Sequence, residues 1–261
     1  MIRRPAGSQR WILIAQGEHA RVAGELAAVW QRDPPLGDVA ARELLAAVYH
    51  HDDGWTDWDR APAVDPERGV PLAFTEMPLG ESLAIWRQSI RAATAYGHLA
   101  AYIVAGHFSA LLERFGSWRR GPESQRAMAE QFLEEQRAFM ADRQAAWQQA
   151  HPGLPADAIL GRALAWLQFF DSLSLWLCTA ERKEGETMNV PAGPAVTLIP
   201  VAPAAIAIDP WPLAGGEKTV EVAGRSVEAA HYRDREHLAA AEGEMVWLPF
   251  AFSPLAAKVK D

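Results

Sequence analysis

The run His50-His51-Asp52-Asp53-Gly54-Trp55 closes a stretch of helically spaced apolar residues and sets an imidazole beside a carboxylate. His19, His107 and Asp171 lie far from it in the chain, each on the apolar face of another helical stretch. Burying an unpaired carboxylate costs several kcal/mol even after relaxation, so a cation is expected beside Asp52 and Asp171. A divalent ion held by His19, His51, Asp52, His107 and Asp171 meets that need. Three imidazoles with two carboxylates suit Mn, Fe, Co, Ni or Zn without selecting one. One ion is expected, and a second would draw on His107. Such an ion would acidify a coordinated water, polarise a phosphoryl or carbonyl oxygen and supply hydroxide at neutral pH. A lone histidine on an apolar stripe is usually a hydrogen-bonded core residue. The metal reading rests on the coincidence of several such residues on different helices.

These side chains need helices to carry them. Apolar spacing predicts helices over Glu18 to Gln31 with His19 on the buried face, Val39 to Asp52 with His51, Glu81 to Tyr96, His98 to Phe115 with His107, and Glu123 to Ala150. Over Asp157 to Lys183, Leu160, Leu164, Leu167, Asp171, Ser174, Leu175 and Cys178 recur at intervals of three and four, which puts Asp171 inside the buried stripe. DPPLGD separates the first two helices, and residues 56–80 read as a long ordered loop. Trp11 to Ala15 reads as a strand. After Gly185, short β-branched runs alternate with Pro and Gly: Val196 to Val201, Lys218 to Val222, Ser226 to Ala230 and Met245 to Phe252, with a short helix at Arg235 to Glu242. TVEVAGRSVEA reads as a hairpin turning at Gly224 and Arg225. The division expected is a helical metal-binding domain over 1–185 and a β-rich lobe over 186–261 packed on it.

Composition narrows the partners. The chain has 261 residues, 49% of them hydrophobic, and a formal net charge of -8, which argues against a nucleic-acid backbone as the main partner. No run approaches the length of a membrane span, so a cytoplasmic protein with a small-molecule substrate is expected, with a homodimer as the assembly left open. The single cysteine, Cys178, excludes a disulfide framework and a Cys-rich zinc site. All four lysines, Lys183, Lys218, Lys258 and Lys260, follow residue 182. Phosphate recognition earlier in the chain would fall to arginines such as Arg21, Arg87 or Arg91. Trp55, Trp58, Phe74 and Trp86 could wall a substrate pocket, with Arg87 beside them and Glu76 as an acid or base.

His51-Asp52-Asp53-Gly54 resembles the histidine-aspartate-any-glycine motif of the HD superfamily of helical metalloproteins, and the order His19, His51-Asp52, Asp171 is that superfamily's order. HHDDGW, PLAFTEMP, LAIW and QFFDSLSLWLC are similar to an uncharacterised family, domain of unknown function 3891, over nearly the whole chain. The resemblance implies an α+β but mainly α protein, an HD-like helical bundle with a small C-terminal antiparallel β lobe. It also implies His19, His51, Asp52 and Asp171 as ligands of one metal. Trp55 stands where some HD phosphodiesterases carry lysine. The leading expectation is a metal-dependent hydrolase of a small phosphorylated metabolite or nucleotide acting through metal-bound hydroxide, with Asp52, Asp53 and His107 in the chemistry. An HD-type iron-dependent oxygenase is the first alternative. A non-catalytic sensing or interaction module is the second.

Overall fold

The computed structural model describes residues 1–31 and 36–255. Asp33, Pro34 and Pro35 of the DPPLGD break, with Lys258 and Lys260, lie outside the described residues. Two short strands come first, β1 (Ile2–Ala6) and β2 (Arg10–Ile14), paired antiparallel from Ile2 opposite Ile14 to Ala6 opposite Arg10. Then come helices α1 (Gln16–Val29), α2 (Gly37–His50), the short α3 (Thr56–Arg60), α4 (Leu79–Ala93), α5 (His98–Arg114), α6 (Glu123–Ala150) and α7 (Ala156–Thr179). Strands β3 (Glu186–Met188), β4 (Val196–Ala202), β5 (Ala205–Asp209) and β6 (Lys218–Glu228) follow, then α8 (Arg235–Ala240) and β7 (Gly243–Pro254). The expected long helices form where the apolar spacing puts them: on α7, Leu160, Leu167, Asp171, Ser174 and Cys178 are all buried. The expected loop over 56–80 contains α3 and a short 3-10 turn at Phe74–Glu76. Among the described residues no helix is long and apolar enough to cross a membrane.

The fold departs from a helical HD bundle with a small antiparallel lobe. Among the described residues, all seven strands join one mixed sheet in the order β1-β2-β6-β7-β5-β4-β3, with β5 and β7 parallel, Ala205 opposite Ala251. The N-terminal strands are therefore part of the sheet, because β2 pairs with β6 from Arg10 opposite Glu228 to Leu13 opposite Arg225. The main hydrophobic core runs from Ile2, Ile14, Leu198, Val220 and Phe252 of the sheet to Leu26, Val48, Val104 and Leu167 of the helices, and a smaller one gathers Met1, Leu13, Val227, Tyr232 and Leu238. The hairpin expected at Gly224 and Arg225 is also absent: β6 passes straight through them and pairs with β7 along its length. Gly224 is there for a different reason. A Cβ on it would lie 2.4 Å from Ile12 Cγ2, so the glycine lets the neighbouring strand's side chain pack onto the backbone.

Three contacts between distant segments tie down the ends of the long helices. Asp59 Oδ2 of α3 accepts from the Gln16 N–H at the start of α1 at 2.6 Å. Glu43 Oε2 of α2 accepts from the Leu99 and Ala100 N–H groups of α5 at 2.8 and 3.3 Å. Arg4 Nη1 of β1 donates to the Leu177 and Ala180 carbonyls at the end of α7, at 2.5 and 3.0 Å. Each places a charge of the right sign against free backbone groups and the helix dipole. Each also fixes one helix relative to another element.

Gly54 lies in the 3-10 turn that follows α2 and donates its N–H to Ser89 Oγ of α4 at 3.1 Å. A Cβ there would meet Ile85 O at 2.4 Å and Ser89 N at 2.5 Å, both backbone atoms that cannot rotate away. Gly54→Ala should push α4 off the end of α2 and destabilise the protein by about 1–3 kcal/mol. Urea unfolding of the two proteins checks this, and an unchanged midpoint would contradict the close approach.

Candidate metal centre

His19 comes from the first turns of α1, His51 and Asp52 from the end of α2, and His107 and Asp171 from the middles of α5 and α7. All five are buried, none more than 7% exposed. The hydrogen-bond network assigns the tautomers of the two central imidazoles. Ser174 Oγ donates to the Asp171 carbonyl at 2.9 Å and so accepts from His19 Nδ1–H at 2.8 Å. His51 Nδ1–H donates to the Val48 carbonyl at 2.9 Å. Both rings therefore commit Nδ1 to a neighbour and turn Nε2 towards the carboxylates, the arrangement in which metal-binding histidines are held.

At the centre, ring nitrogens face carboxylate oxygens, and His19 Nε2 hydrogen-bonds Asp52 Oδ2 while His51 Nε2 has no partner. His19 Nε2 is 2.8 Å from Asp52 Oδ2 and 3.9 Å from Asp171 Oδ1. His51 Nε2 is 3.5 Å from Asp52 Oδ2 and 3.4 Å from Asp171 Oδ1, and it hydrogen-bonds to neither. Two ring lone pairs and two carboxylates converge, and either protons on the Nε2 atoms or a cation must sit between them. Ligand atoms about 2.1 Å from one ion stand about 3 to 4 Å from each other, which is the spacing seen here. His19, His51 and Asp171 each offer a ligand atom within 4.8 Å of the others, so the cluster has the donors and dimensions to hold a metal ion.

Charge follows the same geometry. Burial disfavours a charged His51, but the carboxylates of Asp52 and Asp171 outweigh it and raise its pKa from 6.5 to about 9. Burial works against the Asp52 charge, yet His51 and His19 hold its carboxyl below the ordinary value. Asp171 is held well below the usual carboxylate range, the imidazoles of His107 and His51 overcoming its burial. His107 goes the other way: burial pushes it down to about 4, which keeps it neutral at pH 7. Its ring meets that of His51 edge-on at 5.5 Å between centroids, and its Nδ1 has no partner.

A cleft borders the centre on the side of Asp171 and His107. The cleft, of about 220 Å³ between α5 and α7, has His107 and Asp171 among its lining and carries Arg114, Gln168 and Ser172. Asp171 thus belongs to both the cluster and the cleft. The chain matches the family described as Protein of unknown function (DUF3891) over residues 1–229. It is a member of that family. No curated protein and no solved structure matches it. Family membership assigns no activity, so chemistry has to be read from the site itself.

The other residues singled out in the sequence lie away from the cleft. Asp53 faces His50 Nδ1 at 3.2 Å and the Tyr96 hydroxyl at 3.5 Å. Glu76 is held by Arg3, by Arg68 and by the Ala73 N–H. Trp55 is buried, Phe74 packs on the main core, and Trp58 packs with Met1, Leu13 and Tyr232. Trp86 stacks on Phe108 at 5.3 Å, and Arg87 pairs with Glu135 and lies over Phe132. Arg21 is occupied by Glu18 and Glu25. The aromatic residues expected to wall a pocket do not line this cleft, which carries Arg114 and Gln168. Ser174 and Arg114 gave no chemical signal in the sequence. Ser174 was visible only as a small residue one turn after Asp171 on the same stripe, and Arg114 as a solvated residue near the end of α5.

The raised His51 pKa carries a sign. A proton on His51 adds stability that is fully present below pH 6.5 and is lost as pH rises through about 9. Metal ligation needs that nitrogen free, so at pH 7.5 uptake of a divalent ion by the metal-free protein should release at least one proton per ion. Calorimetry in buffers of different ionisation enthalpy measures it. Uptake without proton release would contradict the assignment of His51 Nε2 as a ligand.

Proposed function

We propose that the protein is a metal-dependent hydrolase acting on a small phosphorylated metabolite or nucleotide. The observation that carries this reading is the shared Asp171: one carboxylate of the buried cluster also lines a cleft that bears an arginine and a glutamine. The donor set of His19, His51, Asp52 and Asp171 supports a divalent ion of the Mn, Fe, Co, Ni or Zn class. Bound there, such an ion would acidify a coordinated water and polarise a phosphoryl oxygen.

The remaining steps belong to the chain's own residues. Arg114 offers a fork of N–H donors to an incoming phosphate. Gln168 adds a donor and an acceptor to orient the rest of the substrate. His107, neutral at pH 7 with an unpartnered Nδ1, accepts a hydrogen bond from the cleft or takes up a second ion. Ser174 and the Val48 carbonyl keep the two imidazoles turned towards the centre. The order of His19, His51 with Asp52, and Asp171 along the chain is that of the HD metalloproteins. It supports phosphate-ester hydrolysis as the chemistry without requiring their architecture.

The test is a screen of the metal-loaded full chain against phosphomonoesters, phosphodiesters and nucleotides. Asp52→Ala should lower turnover by about a hundredfold or more, the scale of losing several kcal/mol of charge stabilisation. Arg114→Gln should raise KM more than it lowers kcat. Absence of Asp52-dependent activity on every phosphate ester would defeat the proposal.

A further inference from the structure

A larger cleft, about 280 Å³, lies at the C-terminal end of α7, where the helix terminus meets the turn between β4 and β5. Its lining includes Arg4, Trp176, Arg182, Lys183, Val201 and Phe250. It does not share a lining residue with the cleft at Asp171. Along the axis of α7 the two clefts come nearest at Ser172 and Trp176, about 6 Å apart.

Arg4 gives this cleft its chemistry. It is only 8% exposed, yet among the described residues no carboxylate forms an ion pair with it. Burying a cation without an anion is costly, and the arginine stays charged regardless. Part of the charge is met by the α7 carbonyls. Those contacts use Nη1 alone, leaving the N–H groups on Nε and Nη2 without a protein acceptor beside the cleft. The guanidinium lies over the Phe250 ring at 5.8 Å, which holds its plane in place.

The surroundings add positive charge. Arg182 lies over Trp176 at 5.4 Å and is fixed to the Trp176 carbonyl and Thr179 Oγ1, while Lys183 is exposed at the rim. Among the described residues, Glu181 is the one acidic residue in the lining. In a chain of net charge -8, this is a local concentration of cations around an apolar wall.

We infer that this cleft binds the oxyanion group of a small ligand, a carboxylate or a phosphate, between the free donors of Arg4 and the ammonium of Lys183. The planar fork of Arg4 suits bidentate contact with either group. Trp176, Val201 and Phe250 would cover the ligand's apolar part. The site is independent of the buried metal centre and of its proposed reaction.

Inorganic phosphate and succinate, titrated separately into the full chain by calorimetry, test this. One of them should bind saturably at millimolar concentration. Binding should weaken about tenfold or more in Arg4→Gln and in Lys183→Ala, a change of about 1.4 kcal/mol, and persist in His51→Ala. Arg4→Gln also removes the cap on α7, so the exposed Lys183 supplies the variant that does not depend on folding. Saturation by phosphate alone identifies a phosphate ligand, and by succinate alone a carboxylate. Failure of both to bind, binding unchanged in Lys183→Ala, or binding lost in His51→Ala overturns the inference.

Discussion

Two carboxylates, Asp52 and Asp171, are held in the interior facing two imidazole nitrogens, and their charge must be balanced there. One divalent ion does this, as do two protons, one on each Nε2. Both carboxylates are almost wholly buried, and breaking a buried pair costs about 3–5 kcal/mol. The rest of the helical layer can be understood from this constraint. The residues come from four helices, so the helices must hold their relative positions to a fraction of an ångström. Caps from Asp59, Glu43 and Arg4, together with the close approach at Gly54, fix those positions through backbone contacts.

The sheet contributes by making this layer rigid. Strands from both ends of the chain meet in it, so the first helix and the last long helix are each anchored at one end to the sheet. Arg4 illustrates this, reaching from β1 to the end of the helix that carries Asp171 and Ser174. The cleft between α5 and α7 opens next to a centre whose imidazoles are already oriented by Ser174 and by Val48. Preorganised ligands of this kind need little rearrangement when an ion or substrate arrives.

Much of the centre was legible in the sequence because its signal is local. A histidine or aspartate on a helix's apolar stripe stands out from its neighbours at i-4, i-3, i+3 and i+4, and His19, His51, His107 and Asp171 all do so. Their convergence then follows from the helices sharing one core. The sheet was less legible because strand pairing is not local. β1 is short and contains two arginines and a proline, and β2, its partner, reaches β6 some two hundred residues away. Gly224 read as a turn because glycine marks both turns and close approaches, and only the neighbouring strand decides between them. The tryptophan wall failed for a related reason: with eleven tryptophans in the chain, aromatic content could not separate packing from binding. Arg114 sits on a solvated position, where sequence carries almost no information about which residues border a cleft.

The most direct measurement is the metal content of the full chain purified without chelators, by elemental analysis, beside His51→Ala and Asp171→Asn. Close to one divalent transition-metal ion per chain is expected in the parent protein, with most of it lost in each variant. A parent protein that is empty and takes up no Mn, Fe, Co, Ni or Zn when they are supplied would mean that protons alone balance Asp52 and Asp171, contradicting the account.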